Sequence, residues 1–465
     1  MDNISEVKQP LSFGQKVAWS IGGMADTLMS NVLFSLAIPI YCIGMGVDPF
    51  LIGIALALPR LWDAVTDPVM GNISDNTRSR FGRRKPYIIC GTIVASILFC
   101  LIWNPPGFLN EIGLFIFFTV VSISFFTAYT VFAVPWNALG FELTTDYNER
   151  TKVMAYKGFL ASLACALILP LPYKLSLLPV FGNDEVEGIK IVGLMFAAVM
   201  LVLGIIPGIF CKEVAKENTQ KQEKIKLLTA IKETSQNRPF LLICGVIICV
   251  ITGVYLLMPL GSYLMIYYLY DGVKSDAATL MMLGQFVYNG LGLAIMPAIV
   301  WASKKFGKRI TLMVGLSLVV LAYPLTLITY NKDYPYLVLV GSFLTCPGLS
   351  CVWVLTSSML ADVCDLDELK TGLRREGMYG GIFTWVFKLG LTVAMAVSGL
   401  VVRYSGFDQD LSPLENSDAL WFMRLCNAAV PTMFMLTALI CAFYYPLTRA
   451  KMKEVREQLD SRKKE

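Results

Sequence analysis

Residues 60–75 read RLWDAVTDPVMGNISD and place Arg60, Asp63 and Asp67 within eight positions of an otherwise apolar stretch. Ionisable side chains in such a setting are costly, and where they persist they mark ion or substrate pathways. Asp63 and Asp67 are four residues apart, so on a helix both carboxylates project from one face, with Arg60 three residues before Asp63 on nearly the same face. Two neighbouring carboxylates repel unless a cation or a proton lies between them. A Na⁺ ion in a cage of oxygens is one occupant and a shared proton is the other. The competing reading is a static bridge in which Arg60 neutralises one aspartate, but it leaves the second carboxylate unexplained. Pro68, immediately after Asp67, loosens the helix where such a site is needed.

Lys388 is a second buried charge. It lies in the middle of GGIFTWVFKLGLTVAMAVSG, too far from either end to reach an interface easily, with Thr384 one turn earlier on the same face. Other chemistries lack their residues. The chain has no histidine, and its twelve cysteines include no CxxC pair, which argues against a zinc site or a histidine-based triad. No GxxxxGK[ST] loop is present to hold a nucleotide phosphate. The cysteines fall mostly inside apolar runs and read as small core residues.

The elements that must carry these side chains are membrane spans. Of 465 residues, 56% are hydrophobic and 16% charged, and the mean hydropathy is +0.62; soluble domains carry about 25% charged residues. Apolar runs long enough to cross a bilayer recur along the whole length. Twelve spans are expected, at 16–46, 49–75, 84–104, 110–140, 150–178, 189–211, 239–270, 275–301, 308–330, 335–362, 376–404 and 418–446, making an all-α membrane protein. The polar lead-in of residues 1–15 carries no cleavage pattern and does not read as a removable signal peptide. Lys and Arg concentrate in 75–85, 212–238, 302–309 and 449–465, whereas the alternate loops are acidic. By the positive-inside rule both termini are expected in the cytoplasm. The net charge of +5 is then a topology signal, and no nucleic-acid motif accompanies it.

The chain also repeats itself. The hydrophilic stretch 212–238 divides the spans six and six, giving bundles at 1–211 and 239–448 and a tail at 449–465. The turn SRFGRRKPYIICG (79–91) is echoed by KKFGKRITLMVG (304–315), 225 residues on, and ELTTDYNERTK (142–152) corresponds loosely to DLDELKTGLRREG (365–377). A six-plus-six architecture with matching basic loops is the major-facilitator pattern, in which the site lies near the bilayer midplane between two rocking halves. The basic turn fixes topology and is also a candidate charge clamp, with Asp75, Glu142, Asp146 and Glu149 as partners. The tail reads as a short solvated helix.

RLWDAVTDPVMG with NTRSRFGRRKPYI resembles the second-helix signature of the glycoside–pentoside–hexuronide:cation symporters, the melibiose-permease family. The likeness continues through ELTTDYNERT, VWVLTSSMLADVCDLDELKTGLRREG and KLGL, and covers essentially the whole chain. It implies a major-facilitator fold of two six-helix bundles and a symporter, not an enzyme. The coupling cation would be held by Asp63 and Asp67. A span-four hydroxyl, Thr130 here, would complete the site, with Thr66 a weaker candidate and ordinary helix packing the competing role for Thr130. It makes Lys388 a cavity lysine coupling ion and substrate, with Arg60 beside the aspartates. Lys157 after Tyr156 matches a Tyr-Arg pair whose arginine faces substrate, although an end-of-span lysine can also snorkel. Trp353 falls where an aromatic stacks on a sugar ring, and Trp353, Lys388 and Lys157 are expected to line the central cavity.

Two departures bear on the substrate. Ala133 stands where the family has a sugar-binding aspartate, and Asp26-Thr27 replaces a Lys-Asp pair. Asn137 and Trp136, just after Pro135, are the residues placed to supply other contacts. With Lys157 and Lys388 set against Asp26 alone, the charge count favours an acidic sugar. No cofactor is implied beyond Na⁺ or H⁺. The expectation is a monomeric sugar or glycoside symporter in a bacterial inner membrane. A lysolipid transporter of the same fold is the alternative.

Overall fold

The computed structural model describes residues 11–143, 147–182, 184–211, 234, 236–372, 375–408, 411–412 and 414–462. Among them the regular structure is entirely helical. Twelve helices are long and apolar enough to cross a membrane. They are α1 (Phe13–Gly44), α2 (Pro49–Asn76), α3 (Lys85–Ile102), α4 (Glu111–Glu142), α5 (Tyr147–Leu167, followed by a short helix Leu171–Ser176), α6 (Glu185–Phe210), α7 (Arg238–Leu269, broken near Leu257), α8 (Lys274–Phe306), α9 (Lys308–Thr329), α10 (Val338–Thr371), α11 (Glu376–Tyr404) and α12 (Ser417–Tyr444). A thirteenth helix, α13 (Arg449–Arg462), follows. Ten of the twelve spans lie within a few residues of the sequence-based boundaries. The exceptions are α8 and α10, which run on to Phe306 and Thr371 and make helix of stretches read as loop.

The chain divides into two compact units, Met1–Val47 with Leu61–Gln220, and Asp48–Arg60 with Lys221–Glu465. Nearly all of the hydrophilic stretch 212–238 lies outside the described residues. The assignment of Asp48–Arg60 to the second unit was not legible in the sequence. Its cause is a close crossing of two glycine-bearing helices. A Cβ on Gly399 would stand 2.3 Å from the Pro49 carbonyl oxygen, and one on Gly53 would stand 2.7 Å from that of Met395. Small residues let membrane helices approach to backbone contact, where packing replaces the missing hydrophobic drive.

The sequence repeat has a backbone counterpart. Gly82 and Gly307, the glycines of the two Phe-Gly turns, have φ of +102° and +91°, a region L-residues with a side chain avoid. The spans α1 and α7 both end in a π-helical stretch, Ile38–Gly44 and Leu264–Leu269, at matching places in the repeat.

Candidate functional site

In the first unit α2 and α4 are joined by two side-chain hydrogen bonds. The Trp62 indole N–H donates to Thr127 Oγ1 at 3.0 Å, and one turn along α4 the Thr130 hydroxyl donates to Asp67 Oδ1 at 3.0 Å. Thr130 is 1% exposed and Asp63, one turn before Asp67, is likewise 1% exposed. Asp67 is half-buried. Thr130 and Asp67 thus meet through oxygen, with the buried Asp63 one helical turn away on α2, and oxygen donors of this kind suit a hard cation rather than a metal that prefers nitrogen or sulfur. Thr66 spends its hydroxyl on the Trp62 carbonyl of its own helix, at 3.3 Å. Arg60 is buried one turn before Asp63.

A second polar group in the same unit lies along α1, α4 and α5. Asp26 Oδ1 accepts from the Tyr129 hydroxyl at 2.7 Å. Lys157 donates to Asn137 Oδ1 at 2.8 Å, and Asn137 in turn donates to the Ala133 carbonyl at 3.0 Å. The lysine ammonium lies 4.4 Å from the centre of the Trp136 ring. A cation over an indole face gains about 0.5–2 kcal/mol, more as water is removed. Trp136 is fully buried. It stacks on Trp19 at 5.3 Å and on Phe132 at 5.7 Å, and each of the two indole N–H groups donates to the other tryptophan's carbonyl, at 2.9 and 3.0 Å. Its edge is therefore spent on α1, and what it offers is a ring face beneath Lys157. Tyr156 points elsewhere, edge-on to Phe13 at 6.0 Å.

Glycines make this packing possible. A Cβ on Gly140 would stand 2.0 Å from the Trp19 ring, one on Gly22 would stand 2.4 Å from Trp136 Nε1, and one on Gly23 would stand 3.1 Å from Lys157 Cγ. Tyr129, Trp19 and Thr127 were missed by sequence reasoning. The available signal was the period along α4, where Tyr129, Ala133, Trp136, Asn137 and Gly140 share one helical stripe.

In the second unit Trp353 is 40% exposed and meets Phe387, the neighbour of Lys388, with ring centres 5.9 Å apart. Lys388 is half-buried. Thr384 is exposed, and its hydroxyl donates to the Gly380 carbonyl at 2.9 Å.

The basic turn of the first unit finds two of its four expected partners. Arg83 and Arg84 both donate to Glu142 Oε1, and Arg84 reaches Asp75 Oδ1 at 3.0 Å. Glu149 was also expected in this cluster, and its described partners are elsewhere. It pairs with Lys16 of α1 at 2.5 Å and with Lys152 at 2.9 Å, and those two ammonium groups hold its carboxyl below the usual carboxylate range. Asp146 lies outside the described residues.

The sequence profile of the family described as MFS/sugar transport protein matches residues 19–449. The chain belongs to that family. It is a membrane transporter rather than an enzyme. Among its relatives, a glucuronide carrier protein homolog of Escherichia coli is 23% identical over 98% of both chains. A sodium-dependent lysophosphatidylcholine symporter of Gallus gallus is 25% identical over 99% of this chain and 91% of its own. A solved bacterial homolog of the human lysosomal transporter Spinster, 14% identical, covers 96% of this chain and 97% of its own with a TM-score of 0.66, which shows the shared major-facilitator fold.

Proposed function

We propose that this cation-coupled major-facilitator symporter carries a sugar, glycoside or sugar acid, with Na⁺ as the coupling ion and Asp63, Asp67 and Thr130 as its ligands. The observation that carries the reading is the Thr130–Asp67 hydrogen bond beside a buried Asp63. It joins two oxygen-bearing side chains from two helices one turn from the buried Asp63, and neighbouring carboxylates repel unless a cation or a proton lies between them. The second polar group supplies contacts of the kind sugar hydroxyls use. Asp26 offers a carboxylate oriented by Tyr129, and Lys157 offers an ammonium oriented by Asn137. Trp353, 40% exposed, offers an indole face for the C–H side of a pyranose. The sugar-transport family and the glucuronide-carrier relative support the same class. The proposal puts both termini on the cytoplasmic side of a bacterial inner membrane, supported by the positive-inside rule.

The test is counterflow of a panel of radiolabelled sugars, glycosides and uronides in proteoliposomes, with Na⁺ present or replaced by choline at two pH values. Na⁺ stimulation that disappears in Asp63→Asn and Asp67→Asn supports the assignment. Stimulation by acid pH alone would make the shared proton the coupling ion. The likeness to the Gallus gallus protein gives a second reading, a lysolipid substrate. Inhibition of counterflow by lysophosphatidylcholine, with no sugar transported, would favour it.

A further inference from the structure

The tail expected to be a solvated helix is docked on the second unit. Along α13, Met452, Val455 and Leu459 fall on one face and are 7%, 2% and 8% exposed. From the neighbouring turn Arg456 reaches α10, with Nη2 3.2 Å from Asp362 Oδ1 and Nε 3.6 Å from Asp365 Oδ2. Arg449 donates to the Lys305 carbonyl at the end of α8, at 3.0 Å. Asp362 is 3% exposed, and its other oxygen takes Lys308 at 2.7 Å.

The two basic turns are answered differently in the two units. In the first unit both basic residues after the Phe-Gly turn, Arg83 and Arg84, converge on Glu142. In the second unit the first of the pair, Lys308, reaches Asp362 of α10, one turn or so before Asp367, the residue that the repeat sets opposite Glu142. The second, Arg309, turns instead to the Phe443 carbonyl on α12, with its guanidinium 5.7 Å from the Phe443 ring. Asp362 thus takes one cation from the basic turn, Lys308, and a second from the tail, Arg456.

We propose that α13 is a releasable strap, and that Arg456 is a positioning residue that acts through Asp362 to hold the end of α10. A helix of 14 residues is marginal in water by itself, so α13 has two natural conditions, docked and folded or released and frayed. A buried carboxylate that loses one of its cations is left undercompensated. Release should therefore loosen the 362–371 end of α10, the same helix that carries Trp353. The inference rests on the transporter reading only for its interest and is measurable without any substrate.

The experiment is hydrogen exchange on the full-length protein in nanodiscs. Arg456→Gln is expected to speed exchange in both 449–462 and 362–371 by about two- to fivefold, the scale of a half-exposed ion pair. Arg456→Lys should restore most of the protection, and Arg456→Gln should add nothing further in an Asp362→Asn background. Val455→Asn, which weakens the docking of the helix and adds no charge, should give the same pattern at 362–371 and guards against a failure of the Asp362 variant to fold. Faster exchange confined to 449–462 would make the tail a passenger and overturn the proposal. So would additive effects of Arg456→Gln and Asp362→Asn.

Discussion

The Thr130 hydroxyl donates to Asp67 Oδ1 at 3.0 Å, joining residues 63 positions apart in sequence. A hydrogen bond to a carboxylate contributes about 1.5–3 kcal/mol. It also fixes one carboxylate oxygen of the proposed cation site.

Thr130→Val is expected to raise the half-saturating Na⁺ concentration about tenfold, the loss of roughly 1.4 kcal/mol, with little change in maximal uptake. Asp63→Asn and Asp67→Asn should each abolish cation-stimulated accumulation while the protein still inserts and unfolds cooperatively. Accumulation against a gradient by both single variants would show that the aspartates are not the coupling site.

Asp26 and Lys157 set the charge preference of the second polar group. The sequence-based count set Lys157 and Lys388 against Asp26 alone, and the structure gives Asp26 the Tyr129 hydroxyl and Lys157 the Asn137 amide oxygen as partners. Asp26→Asn removes that opposing charge, and an uncompensated buried ammonium favours a ligand that brings a negative charge. Binding of a matched neutral glycoside and uronide, compared by calorimetry at fixed Na⁺ and pH, should move about tenfold toward the uronide in the variant, again roughly 1.4 kcal/mol. An unchanged ratio would place Lys157 outside the substrate site.

Gly140 is a packing requirement. A Cβ there would stand 2.0 Å from the Trp19 ring, whereas one on Gly14 meets nothing within 4 Å. Gly140→Leu should cost at least the roughly 1–3 kcal/mol of an overpacked core and lower the apparent Tm of the purified protein. Gly14→Ala should leave it unchanged. Equal Tm values for the two variants would mean that α1 and α4 do not meet as described.

Glu149 gives a pH test. Its carboxyl is held below the usual range by Lys16 and Lys152, so the folded-state pKa lies beneath the unfolded one near 4.3. The stabilisation is present above that unfolded value and is lost as pH falls through the depressed folded pKa. Thermal unfolding across pH 3 to 6 should show a steeper loss in the wild type than in Glu149→Gln. Parallel profiles would assign the acid sensitivity to other carboxylates.

The sequence by itself determined the twelve spans, the six-plus-six repeat and the shared face of Asp63 and Asp67. Each is a local or periodic property. A span is a run of apolar residues, a repeat is a self-match, and a spacing of four on a helix fixes a face whatever packs beside it. The family resemblance favoured Thr130 over Thr66 as the hydroxyl beside Asp67, but only the tertiary structure shows the Thr130 hydroxyl on Asp67 and that of Thr66 on its own helix. It also decided that Trp136 stacks on Trp19, 117 positions away, that Glu149 answers Lys16 rather than the basic turn, and that Arg456 answers Asp362 across 94 positions. Charge type restricts such pairings to a shortlist. The choice within it depends on which helix faces glycine allows to meet, since a single Cβ at Gly140 or Gly399 would keep the backbones apart.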